Sequence, residues 1–160
     1  MLHMDACSGT TTVIGSTGVG NMCGIAFGPG GILYGLDSTN DQLVEIDIST
    51  GAGTVIGSLG FELGNCGLSY DCTNDRLIGA NATTSEIFTV DPVTGLGSGH
   101  VLTDVPFSSV GLEYDPGSDV IYAATGDELY QVDPSTGATT YIGALGGENV
   151  DDLALHPTCP

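Results

Sequence analysis

The chain contains no lysine and no tryptophan, and its one Lys or Arg side chain is Arg76. Against that single cation stand 20 Asp and Glu, so the 160 residues carry a formal charge of -19. Nucleic acids and anionic membrane surfaces are bound through Lys and Arg that neutralise phosphate, so composition excludes both as partners. No stretch reaches the roughly 18 consecutive apolar residues of a membrane-spanning helix. Helix signals are also scarce: 26 glycines are scattered along the chain, and no window sustains a capped 3.6-residue apolar period. Disorder is excluded in turn by a hydrophobic content of 41% and a mean hydropathy of +0.23.

With so few counter-charges, self-repulsion must be relieved by dissolved cations, bound divalent ions or high salt. One reading is a solvated acidic surface suited to a saline or extracellular medium. The other is structural calcium, held by Asp carboxylates and carbonyl oxygens. Neither a twelve-residue EF-hand loop nor an Asp-rich nonapeptide array is present, and no other cofactor is expected. Met1 to Ala6 carry neither the basic region nor the apolar run of a signal peptide. A repeat that starts at Leu2 without a leader suggests an excised piece of a secreted protein. Asn81-Ala82-Thr83 matches the glycosylation acceptor pattern, a short match that carries little weight.

What the chain does have is a repeat. Turns of the form Asp-x-x-Thr-Gly place glycines at Gly51, Gly95 and Gly137, and a variant ends at Gly9, giving spacings of 42, 44 and 42. Each period divides into four short segments of strand character. The first is Cys23 to Phe27, matched by Cys66 to Tyr70, Val110 to Tyr114 and Asp151 to Leu155. The second is Ile32 to Asp37, matched by Arg76 to Asn81 and Val120 to Thr125. The third is Gln42 to Asp47, matched by Glu86 to Asp91, Glu128 to Asp133 and a fragment at Leu2 to Asp5. The fourth is Thr10 to Ile14, matched by Gly53 to Ile56, Gly99 to Leu102 and Thr139 to Ile142. In the turns between third and fourth segments, Asp accepts hydrogen bonds from the following amides and Gly takes the left-handed position. Four antiparallel strands in a period of about 43 residues predict an all-β chain of β-propeller blades.

The alternation of Gly111-Leu112-Glu113-Tyr114-Asp115-Pro116 with Leu129-Tyr130-Gln131-Val132-Asp133-Pro134-Ser135-Thr136-Gly137 resembles bacterial surface β-propeller repeats of the NHL and YVTN type. The resemblance covers almost the whole chain and implies that the Gly-Leu-x-Tyr-Asp strand is innermost and the Thr-x-Ile-Gly strand outermost. It also implies surface display. The Trp-Asp pattern of WD40 repeats is missing, and no sialidase-type Asp box is evident.

In that order the chain holds about 3.7 repeats. Three complete blades are expected at about 23–57, 66–102 and 110–143, with a split blade from 2–14 and 151–156, about fifteen strands in one domain. Such an incomplete circle leaves open strand edges that something must cover. The two ends could meet within one molecule, two chains could form a ring of seven or eight blades, or the chain could belong to a longer protein.

Five cysteines with no CxxC and no ligand-like spacing argue against zinc and fit an oxidising compartment. Cys7 and Cys159 fall at turns on the same face of the split blade, where they either staple the ends or remain as thiols. Cys23 and Cys66 hold identical positions in neighbouring innermost strands, so a bond between them is expected. Cys66 and Cys72 flank one extended strand and lie too far apart. Cys72 is then free or bridges to another molecule.

Chemistry in such a fold belongs at the channel mouth. There the repeat is broken by His156, and Asp115 and Glu113 lie close by in sequence phase, a set able to act as a general acid-base centre. Capping of their own turns explains Asp71 and Asp115 without function, His3 and His100 sit away from the channel, and no catalytic motif occurs. The sequence therefore points to a non-catalytic, secreted or cell-surface module for binding or self-assembly through blade completion. Its partners would be a protein, a glycan or a second copy. The alternatives are a lyase or hydrolase acting at the channel through His156, Asp115 and Glu113, and a calcium-dependent glycan-binding module.

Overall fold

The computed structural model describes residues 1–5, 8–147, 149–150 and 152–154. Among the described residues it is all β apart from one 3-10 turn at Pro29–Gly31. Fourteen strands are present: β1 (Leu2–Met4), β2 (Thr11–Val13), β3 (Met22–Phe27), β4 (Leu33–Asp37), β5 (Gln42–Ile46), β6 (Gly53–Ser58), β7 (Cys66–Asp71), β8 (Arg76–Asn81), β9 (Glu86–Val90), β10 (Gly97–Leu102), β11 (Gly111–Asp115), β12 (Val120–Thr125), β13 (Glu128–Val132) and β14 (Thr139–Ala144). Strands β3–β6, β7–β10 and β11–β14 form three four-stranded antiparallel meanders, while β1 and β2 form a separate hairpin.

Local chemistry explains the meanders. In every Asp-led turn between third and fourth strands the glycine amide donates to the Asp carbonyl oxygen, at 2.8 Å for Gly9, 2.7 Å for Gly51, and 2.8 Å for both Gly95 and Gly137. Carboxylates of Asp47, Asp91 and Asp133 each accept the amide two residues on at 2.8 Å. The ladders beyond these turns share one register: Met4 faces Thr11, Ile46 faces Gly53, Val90 faces Gly97 and Val132 faces Thr139. Thus β1–β2 is the outer half of a blade, with no second strand beside it among the described residues.

Blades pack face to face. Tyr34, Leu36 and Leu43 of the first blade bury against Leu68, Leu77 and Phe88 of the second, and Ile78 and Ile87 of the second against Leu112 and Ile121 of the third. A smaller cluster of Leu33, Val44 and Ile46 is covered by Met1, Val19 and Met22. At the hub, glycines allow the innermost strands to touch. A Cβ on Gly24 would lie 2.8 Å from the Leu68 amide nitrogen, one on Gly67 2.8 Å from the Val110 carbonyl oxygen, and one on Gly111 2.6 Å from the Asp152 Cα.

One element departs from expectation. The innermost strand foreseen at Asp151 to Leu155 is absent over residues 152–154, which pack on β11 without joining a ladder. Strand structure needs a hydrogen-bonded neighbour, and the second strand of this blade is the one missing.

Candidate functional site

The hub is where the repeats converge. Residues 152–154 lie against β11 and share a cavity of about 280 Å³ with β3, lined among others by Ile25, Phe27, Tyr70, Glu113 and Leu153. Beside it a cavity of about 230 Å³ is bounded by Glu113, Asp115, Tyr122, Leu129 and Leu153. Two of the three candidate acid-base residues, Glu113 and Asp115, therefore border one space. His156 lies outside the described residues. The Asp115 carboxyl is held below the usual carboxylate range by the Ser118 hydroxyl at 2.6 Å and the Gly117 amide at 2.8 Å. That is a turn cap, and it leaves Asp115 a poor proton carrier near neutrality.

The carboxyl at the hub whose acidity moves the other way is Asp152. Burial pushes it up, and the Leu153 amide at 2.9 Å offsets this only in part. Sequence reasoning missed Asp152, although a signal existed: it stands where the other innermost strands carry Gly24, Gly67 and Gly111. Across the chain, Asp71 is buried beneath a fan of donors from Asn74 and Arg76. These outweigh the upward push of burial and hold it below the ordinary range. Arg76 and Asp71 border a groove of about 590 Å³ beside Asp119, Gln131 and Asp133.

Other candidates are dispersed. His100 lies 3.5 Å from Glu86 and packs edge-on against Phe61 with ring centroids 4.5 Å apart. His3 is on β1, opposite Thr12. No group of three or more His, Cys, Asp or Glu able to hold a metal ion occurs among the described residues. Asn81 is buried, its amide donating to the Glu62 carbonyl at 3.0 Å and accepting from Thr83 at 3.1 Å, so the acceptor motif is structural in the folded chain.

Cys23 and Cys66 form a disulfide between neighbouring innermost strands, with Cα atoms 5.1 Å apart. Cys72 is disulfide-bonded within the chain as well, which corrects the expectation that it is free or bridges to another molecule. The Cys7–Cys159 pairing lies outside the described residues. Among the described residues no helix is long and apolar enough to cross a membrane.

The rim differs from the hub. Between β1 and residue 152 runs a gap of about 440 Å³, bordered by Met1, Leu2, Met22, Cys23, Ile46 and Asp152. Leu2 and Met4 are 61% and 63% exposed, although the residues in register with them in the complete blades are at most 9% exposed. At the hub residues 152–154 and β3 face one another across a shared cavity, and at the rim the gap is open.

These features define a β-propeller repeat protein. The chain matches no protein-family model and no curated protein in sequence, but its fold is shared with solved structures. A structural genomics protein of unknown function from Bacteroides thetaiotaomicron matches with TM-score 0.68 and 20% identity over 91% of this chain and 41% of its own. Virginiamycin B lyase from Staphylococcus aureus gives TM-score 0.56 and 15% identity over 76% of this chain and 40% of its own. A chain of a nidogen/laminin complex gives 0.63 and 14% over 82% and 51%. The chain thus spans about half or less of these propellers. The likeness is to the β-propeller repeat fold. The expectation of a non-catalytic protein is overturned by the same finding, because the fold is one that a lyase also uses.

Proposed function

We propose that this chain works by association at its split blade, as a β-propeller module whose rim gap is completed by a strand or blade supplied from outside. The observation that carries the reading is the β1–β2 hairpin. It has the register of a complete blade, one edge that pairs with no strand among the described residues, and two exposed core-position side chains, Leu2 and Met4. Strand addition supplies main-chain hydrogen bonds along such an edge, while alternate side chains of the incoming strand fill the apolar gap. A disulfide across the hub and the acidic surface support an extracellular or cell-surface setting for this association.

The test is amide exchange along β1 with a synthetic peptide copying residues 31–39, the second strand of the first blade. Slowed exchange of the β1 amides is expected. Unchanged exchange at millimolar peptide overturns the reading.

A second reading keeps chemistry at the hub. It is favoured by Asp152, which shares a cavity wall with Glu113 and whose carboxyl is pushed above the ordinary carboxylate range. A carboxyl that stays protonated above the normal range is suited to donate a proton. Loss of any lyase or hydrolase turnover in Asp152→Asn, with the fold retained, tests this reading.

A further inference from the structure

Arg76, the one Lys or Arg side chain, stands where the repeat does not call for a charge. The first and third blades carry Ile32 and Val120 at its position, and only in the second does the place fall to an arginine. Side chains alternate along β8, and Arg76 is in phase with Ile78, which buries against Leu112 and Ile121 of the third blade. The guanidinium therefore leans into the groove of about 590 Å³ between the second and third blades. That volume lies within the about 300–1,000 Å³ of small-molecule sites. The groove shares no lining residue with the gap at the split blade, so its occupant is independent of blade completion.

Capping alone does not account for the arginine. In the third blade, Asp115 closes the equivalent turn through Ser118 and Gly117, with Val120 opposite it in register and no cation. In the second, Arg76 directs only its Nε at Asp71, at 2.8 Å. Its terminal amino groups have no hydrogen-bond partner among the described residues, and 36% of the side chain is exposed. The outer fork of the guanidinium is thus open to a ligand in the groove.

The walls set the charge of that ligand. Asp119, which accepts the Tyr114 hydroxyl at 2.8 Å, and Asp133 border the same groove. The Ser135 hydroxyl at 2.6 Å and amide at 2.8 Å hold the Asp133 carboxyl below the usual range, so it is ionised near neutrality. With Asp71 already balancing Arg76, an entering anion meets two further carboxylates and an entering cation meets the guanidinium. A neutral molecule rich in hydroxyl groups suits every wall, its oxygens accepting from the fork and its protons donated to the carboxylates. An extended peptide is also neutral in its main chain, but β12 and β13 are paired on both sides, so the groove offers it no ladder to join. Val120, Pro134 and Ala138 add apolar surface for the C–H face of a sugar ring.

We propose that this groove binds a neutral oligosaccharide, with Arg76 donating to its oxygens and Asp119 and Asp133 accepting from its hydroxyls. Asp71 positions the guanidinium.

The chain has one arginine, so its Nε–H gives one cross-peak in a proton–nitrogen NMR spectrum. Cellotetraose, maltotetraose, mannotetraose and N-acetylated chitotetraose are titrated separately to millimolar concentration, alongside sodium acetate and the blocked peptide acetyl-Gly-Ser-Gly-Ser-amide. A saturable shift of that cross-peak with at least one sugar is expected, and none with acetate or peptide. Calorimetry with the sugar that binds then compares two variants. Ala138→Leu places at the groove wall the residue that the repeat itself carries at Leu96, where the same turn hydrogen bond forms, so its urea midpoint should match wild type. Arg76→Lys keeps the charge beside Asp71 and removes the planar fork. Each is expected to weaken binding about tenfold or more. If Arg76→Lys does not fold, Ala138→Leu alone decides. No saturable shift with any of the four sugars, saturation by acetate or by the peptide, or sugar binding undiminished in Ala138→Leu each overturns the inference.

Discussion

At the scale of single residues, many polar side chains of this protein act on their own turns. Tyr70 donates to Asp75 at 2.7 Å and Tyr130 to Glu128 at 2.5 Å, and these bonds, with some help from burial, push both phenols up to about 12. A raised folded-state value means stability that is complete below the ordinary tyrosine range near 10 and is lost as pH rises towards 12. Absorbance titration at alkaline pH is expected to show four of the six tyrosines, Tyr34, Tyr70, Tyr114 and Tyr130, ionising late, and Tyr70→Phe is expected to remove one of them. Asp71 behaves oppositely. Its depressed value gives stability that is present above the ordinary carboxylate range, about 3.9, and lost as pH falls through the lower folded value. Acid also discharges the many exposed carboxylates and relieves repulsion, so the loss is read as a difference. Asp71→Asn should cost about 2–3 kcal/mol at pH 7, because Arg76 and the Asn74 donors lose a charged acceptor, and the gap to wild type should narrow towards pH 2 in urea titrations.

At the scale of elements, what was legible in the sequence was whatever is held by short-range chemistry. The β5–β6, β9–β10 and β13–β14 hairpins follow from Asp-led turns whose hydrogen bonds span four residues, and alternation within Glu128-Leu129-Tyr130-Gln131-Val132 sets the face that β13 buries. The segment at 152–154 has the right residues for an innermost strand and none of its pairing, because a strand exists only beside its neighbour. The hub was legible in part: equal phase placed Cys23 against Cys66, whereas Asp152 takes its meaning from closure of the ring, which no local pattern encodes. That disulfide ties two blades across a sequence separation of 43. Loop-closure entropy for such a span is about 4 kcal/mol in the chain-entropy model, and native disulfides typically deliver about 2–4. Cys23→Ala with Cys66→Ala should lower unfolding free energy by that amount in urea, without moving strand content by circular dichroism.

At the scale of the whole molecule, charge and blade number pull against each other. The -19 charge makes compaction costly, while stacked blades demand close approach of acidic faces. Screening shortens the reach of that repulsion from about 30 Å at 0.01 M salt to about 3 Å at 1 M. Thermal unfolding should accordingly shift upward by roughly 2–4 °C or more between these salt concentrations, the equivalent of about 1 kcal/mol at this chain length. A flat Tm would mean that bound cations already neutralise the surface. The covalent link at the hub has a further, mechanical consequence. In a chain pulled from its two ends, everything between Cys23 and Cys66 stays within a closed loop. This bond by itself should withhold on the order of 150 Å of contour, regained only when a reductant opens it.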